Sequence, residues 1–178
     1  MKIHLALAAI AALSFGVASF VPAYAMGDGG NSSGTSSTVK KCKKGEVVKS
    51  GKCVKATSGV LPDEDLYQQG RALAQAGEYD WALIVLGAVS NRNDPRVLNY
   101  IGYSHRKSGR LDEAFGYYHK AIAIDPNFVL AREYLGEGYV AAGRIDLAKS
   151  QLIEIANRCG TTCEEYQELA EHIDGGVN

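Results

Sequence analysis

Residues 94–126 read DPRVLNYIGYSHRKSGRLDEAFGYYHKAIAIDP, and their punctuation decides the fold. Asp94-Pro95 and Asp125-Pro126 are helix-entry signals, because proline is harmless at a first helical position whose N–H has no intrahelical partner. Gly109 stands where a chain leaving a helix needs a left-handed residue. Two helices follow, near 95–108 and 111–123. Ser104 and His105 are neighbours on the first, so they point about 100° apart and do not form a nucleophile–base pair. His105 falls at a buried-type position, and His119 on the second helix faces outward.

The same punctuation recurs on both sides. Gly70, Gly102 and Gly136 are spaced 32 and 34 residues apart. Gly77, Gly109 and Gly143 each follow by seven, and Ala82, Ala114 and Ala148 by five more. Self-similarity at this period marks a stack of helix pairs. Three units are predicted, 63–94, 95–128 and 129–161. Their first helices lie near 63–76, 95–108 and 129–142, and their second near 79–91, 111–123 and 145–158. The last apolar face of such a stack needs a polar cap. Residues 162–174 supply it: Thr162 and Glu165 form a capping-box signature, and Tyr166, Leu169, Ala170 and Ile173 share one helix face.

The middle unit resembles the tetratricopeptide repeat family through Leu98, Ile101, Gly102, His105, Gly109, Ala114, Tyr118, Ala121 and Pro126. His105 stands where the family usually has tyrosine. The third unit keeps Leu135, Gly136, Tyr139, Gly143 and Ala148, and the first keeps Gly70, Gly77, Tyr79 and Ala82 but is two residues short. The resemblance implies an all-α right-handed solenoid of about three repeats with a C-terminal capping helix. It also implies a concave groove lined by the first helices. Unit one would offer it Glu64, Tyr67, Arg71, Ala74 and Gln75, unit two Arg96, Asn99, Tyr103, Arg106 and Lys107, and unit three Leu130, Glu133, Glu137, Val140 and Ala141. Within that groove Asn99, Tyr103 and Arg106 lie at i, i+4 and i+7, one helix face. Together with Arg71 they form the expected peptide-contacting strip, and Tyr103 and Arg106 lie outside the packing pattern of Leu98, Ile101, Gly102 and His105. Tyr67, Arg96, Lys107, Glu133 and Glu137 form a secondary groove set. Tyr67 and Arg71 replace the lysine and asparagine with which some family members clamp a terminal carboxylate, so that ligand is not expected.

The flanks say where such a protein works. Lys2 precedes an apolar run from Leu5, Pro22 ends it, and Ala23-Tyr24-Ala25 has the form a signal peptidase reads. Cleavage after Ala25 is expected, an uncleaved anchor being the alternative, and residues 26–39 read as a flexible Gly/Ser linker. Residues 40–56 hold seven lysines against Glu46, with Val47-Val48 and Cys53-Val54 flanking a Ser50-Gly51 hairpin turn. From Ala56 onward 11 basic residues face 18 acidic ones, a net of 11 − 18 = −7. The formal charge of −1 over 178 residues therefore hides an acidic domain with a basic arm, and argues against a nucleic-acid binder. Four cysteines in an exported chain favour disulfides. Three pairings are open, and proximity favours Cys42 with Cys53 and Cys159 with Cys163. Their spacing is not a zinc pattern.

No nucleophile elbow, phosphate loop or metal-protease motif is present. The sequence predicts a non-enzymatic scaffold without cofactor or metal, periplasmic or secreted, binding a protein or peptide with acidic residues. The alternative is an adaptor attached through the basic arm, residues 40–55, to anionic lipid or polysaccharide at the envelope surface.

Overall fold

The computed structural model describes residues 42–176; the expected signal peptide and linker lie outside them. Two strands, β1 (Glu46–Lys49) and β2 (Lys52–Lys55), precede seven helices. These are α1 (Asp63–Gln75), α2 (Tyr79–Gly87), α3 (Pro95–Lys107), α4 (Leu111–Ile124), α5 (Val129–Ala141), α6 (Ile145–Cys159) and α7 (Glu164–Gly175). Successive pairs α1–α2, α3–α4 and α5–α6 are the three units. Among the described residues no helix is long and apolar enough to cross a membrane.

Each pair turns in the same way. Asp94 caps α3 by accepting the Arg96 N–H at 2.9 Å. At its other end Gly109 is left-handed, φ 78°, and the Arg110 N–H reaches back to the His105 carbonyl at 2.9 Å. The equivalent bonds, Glu78 N–H to Leu73 O and Arg144 N–H to Tyr139 O, close α1 and α5. This is the six-to-one closure that satisfies orphan carbonyls at a helix end. In the first two units the second helix then crosses the first at a glycine, Gly70 or Gly102. A Cβ added at Gly102 would stand 2.8 Å from the Tyr118 ring, so glycine there lets α3 and α4 approach. Ala114, Tyr118, Leu135, Tyr139 and Ile155 fill the core behind them.

The first unit departs from expectation. α2 stops at Gly87, four residues before the predicted end, and spans 9 residues against 14 for α4 and 15 for α6. Asp63 is the cause: its carboxylate accepts the Ser90 and Asn91 N–H groups at 2.8 and 2.9 Å. Those bonds draw the chain back to the start of α1, and the carboxyl is held below its usual range by them.

The Lys-rich segment forms the predicted hairpin, with Glu46 opposite Lys55 and Lys49 opposite Lys52. Ser50 and Gly51 both have positive φ, 48° and 74°, the turn that matches strand twist. Cys42 is joined to Cys53. The hairpin packs on the first unit. Val47 is buried in its core at 2 % exposure. The Gln69 side chain accepts the Val48 N–H and donates to the Val48 carbonyl, at 2.9 and 3.3 Å. The Trp81 indole donates to the Glu46 carbonyl at 2.9 Å, and Lys44 pairs with Asp80 at 3.1 Å. The segment is thus an N-terminal cap as well as a carrier of lysines.

At the other end Cys159 is joined to Cys163. The capping box is not made: α7 begins at Glu164, its N-cap is Cys163, and no side chain caps it. The disulfide takes the cap position, leaving Thr162 outside the helix. Leu169 and Ile173 of α7 are buried, and α7 packs more on α5 than on α6.

Candidate functional site

The first helices α1, α3 and α5 carry a row of tyrosines across the three units. Tyr67 meets Tyr100 edge-on with ring centres 6.0 Å apart, Tyr100 meets Tyr103 at 6.0 Å, and Tyr103 meets Tyr134 at 5.2 Å. Cations sit on these rings. The Arg96 guanidinium lies 4.6 Å from the Tyr67 centroid, Arg71 5.7 Å from Tyr100, Arg106 5.5 and 5.3 Å from Tyr103 and Tyr134, and Lys107 5.7 Å from Tyr103. Each such contact is favourable because the ring face is negative. Arg71 also donates to the Tyr100 hydroxyl at 3.0 Å. Burial raises the Tyr67, Tyr103 and Tyr134 hydroxyls above their ordinary pKa, so these three stay uncharged at neutral pH.

The expected strip is therefore assembled, but not as a row of free groups. Asn99 has no exposure, and neither amide atom has a hydrogen-bond partner among the described residues. Arg106 pairs with Glu137 and donates to the Tyr118 hydroxyl; the pair's side chains are 8 % and 6 % exposed. Its guanidinium is committed within the molecule. Truncating Arg106 would leave Glu137 buried without its partner, a costly state, so Arg106 belongs to the packing after all. Arg71 and Tyr103 are half-buried, while Arg96 and Lys107 are exposed. Arg96 is paired with Glu64 and Asp94, at 3.0 and 2.7 Å. Lys107 makes no ion pair among the described residues.

Unit three differs from the open acidic patch its sequence suggested. Glu133 is 1 % exposed and Glu137 also buried, because α7 covers them. Glu133, Glu137 and the exposed Glu168 of α7 each place a carboxylate oxygen within 4.8 Å of the others. Burial, then hydrogen bonding to Glu168 and the charge of Glu137, push the Glu133 carboxyl up to about 9. Glu133 keeps its proton at neutral pH, which is how three carboxyl groups share so small a space. His172 donates from Nδ1 toward the Glu168 carbonyl, 2.9 Å away, and lies 3.9 Å from Glu137. These acids are the one metal-compatible trio among the described residues without a disulfide cysteine, since Cys42, Cys53, Cys159 and Cys163 are all consumed in bridges.

Sequence reasoning missed Tyr100, Tyr134, Glu168 and His172. Tyr100 and Tyr103 are i and i+3 on α3, a spacing that puts two rings side by side. His105 and His119 take structural roles. His105 accepts from Arg110 at 2.9 Å and stacks on Tyr117, and His119 is exposed beside the Tyr139 hydroxyl at 3.1 Å.

Residues 95–128 match the tetratricopeptide repeat family model. No curated protein matches the chain. Among solved structures, the type III secretion chaperone SycD of Yersinia enterocolitica, in complex with a peptide of the translocator YopD, is similar. Its TM-score is 0.56 at 21 % identity, over 67 % of this chain and 94 % of that one. PcrH, in complex with the chaperone-binding region of PopB, matches at 0.55 and 22 %, over 67 % and 98 %. The first tetratricopeptide domain of Spaghetti (RPAP3), bound to an HSP90 peptide, matches at 0.56 and 16 %, over 65 % and 94 %. At these identities the likeness is one of fold. Residues 95–128 are thus a tetratricopeptide repeat, and the helix pairs on either side close with the same turn in a fold like that of these structures.

Proposed function

We propose that the chain is a non-catalytic adaptor that holds a protein or peptide segment on the face formed by α1, α3 and α5. The observation that carries this reading is the tyrosine row with cations along it. Rigid rings bury area at small entropic cost and keep a polar tip for the partner's backbone. The likeness in fold to three structures solved with a bound peptide or partner segment supports it. The contact strip is Arg71, Tyr103 and Lys107 with Arg96 at its edge; Asn99 and Arg106 shape it from behind. Its positive charge favours an acidic segment. The apolar run from Leu5, the Ala23-Tyr24-Ala25 site and the use of every cysteine in a bridge support work in the periplasm or outside the cell.

The test is to capture a partner from native envelope material and titrate it by calorimetry. Tyr103→Ala should weaken binding by about 2 kcal/mol, as loss of an aromatic anchor does, and Lys107→Glu should weaken it for an acidic partner. Unchanged affinity for both, with matching circular dichroism, would remove this face from consideration. A second reading rests on the hairpin: Lys43, Lys49, Lys52 and Lys55 are all exposed, a surface for anionic lipid or polysaccharide. Attachment through them would fall steeply between low and physiological salt, because exposed charges are screened.

A further inference from the structure

Where α2 ends early, a cavity of about 580 Å3 opens between the loop after it, α3 and α4. Its volume lies within the range of about 300–1000 Å3 usual for small-molecule sites. Leu98, Ile101 and Ile124 give it an apolar wall, and Ile124 is a large apolar side chain left 46 % exposed. Two cations, Arg92 and Lys120, stand in the lining, and no acidic residue does. That is a departure in a domain with seven more acidic than basic residues. Neither cation forms an ion pair among the described residues. Lys120 is set in place by the Tyr117 ring, 5.5 Å from its ammonium. Arg92 acts on Asp63, whose carboxyl it helps hold low, without reaching it. None of the lining residues belongs to the tyrosine row.

An apolar wall asks for hydrocarbon, and two uncommitted cations beside it ask for one anionic head. A cavity of this size, half open to solvent, suits a single flexible chain; a partner helix would need a continuous groove across several turns. We propose that this cavity is a binding site for a medium-chain aliphatic carboxylate, its head between Arg92 and Lys120 and its tail along Leu98 and Ile101. The site exists because Asp63 shortens α2, so it is a property of the first unit's missing turn.

The experiment is calorimetric titration of the purified full chain with decanoate and, separately, with decyltrimethylammonium, each below its micelle concentration. Decanoate should bind saturably at one site and raise the melting temperature; the cationic amphiphile should not bind there. Arg92→Gln with Lys120→Gln should weaken decanoate binding at least about tenfold, the worth of a charge-assisted hydrogen bond. Ala123→Trp, an exposed lining position, should block the cavity without disturbing the core. Absence of saturable decanoate binding, equal binding of the cation, a lowered melting temperature, or unchanged affinity in both variants would each overturn the proposal.

Discussion

Gly102 and Gly136 occupy the same place in the second and third units, yet they are closed differently. At Gly102 the space is filled by Tyr118 of α4, the unit's own second helix; at Gly136 it is filled by Leu169 of α7, where an added Cβ would stand 2.5 Å away. The first unit follows the second, with Leu86 of α2 against Gly70. Units one and two therefore complete themselves, whereas unit three is completed by the helix that follows it. A cap that merely shielded the stack would touch an apolar surface already formed. α7 instead supplies a residue of the unit's interior and buries two of its acids.

The sharpest way to break this comparison is to remove α7. A chain ending at Gly160 should lose more helix, by circular dichroism, than α7 alone contains, because α5 and α6 lose Leu169 and Ile173. Loss of α7's share only would mean that unit three closes without it. Next in size, Leu169→Ala should cost about 2–5 kcal/mol by urea denaturation. Leu152→Ala, at the site equivalent to Tyr118 but only partly buried, should cost clearly less; equal costs would restore the symmetry of the units.

The link between α6 and α7 comes third. Cys159→Ser with Cys163→Ser should cost roughly 2 kcal/mol, the chain-entropy value for a loop this short, and should raise hydrogen exchange in α7 before other helices. Smallest, and sharpening the electrostatic side, is Glu133. Its carboxyl is raised when folded, so the unfolded chain gives up that proton first. Stability is full below the ordinary carboxylate range and is lost as pH rises toward about 9. The expected loss is on the order of 1 kcal/mol between pH 7 and 8. Glu133→Gln, which keeps the shape and cannot ionise, should flatten that slope in denaturation midpoints; an unchanged slope would assign it elsewhere.

The units were legible because glycine, alanine and proline act locally. Gly109 marks its turn through φ alone, and Gly102 marks helix contact through size alone. The paired cysteines and the Ser50-Gly51 turn were readable for the same reason. The short α2 was not, because Asp63 acts on Ser90 and Asn91 from the far end of the unit. The candidate face was half legible. Periodicity placed Asn99, Tyr103 and Arg106 on one side of α3. It could not show that Glu137, from the next unit, already holds Arg106, nor that α7 folds over Glu133. Those contacts depend on where helices distant in sequence come to rest.

Trp81 is the chain's one tryptophan, and its indole N–H is held by the Glu46 carbonyl of the hairpin. Its emission is thus an intrinsic optical reporter of a single event, the seating of the hairpin on α1 and α2. Undocking would wet the ring and shift its fluorescence to the red, while the far units, which hold tyrosine but no tryptophan, stay dark under excitation selective for indole. Mild reduction of Cys42–Cys53, or addition of anionic vesicles that compete for the lysines, can be followed at that wavelength without a label. The seating of the hairpin can so be watched by itself in an unmodified molecule.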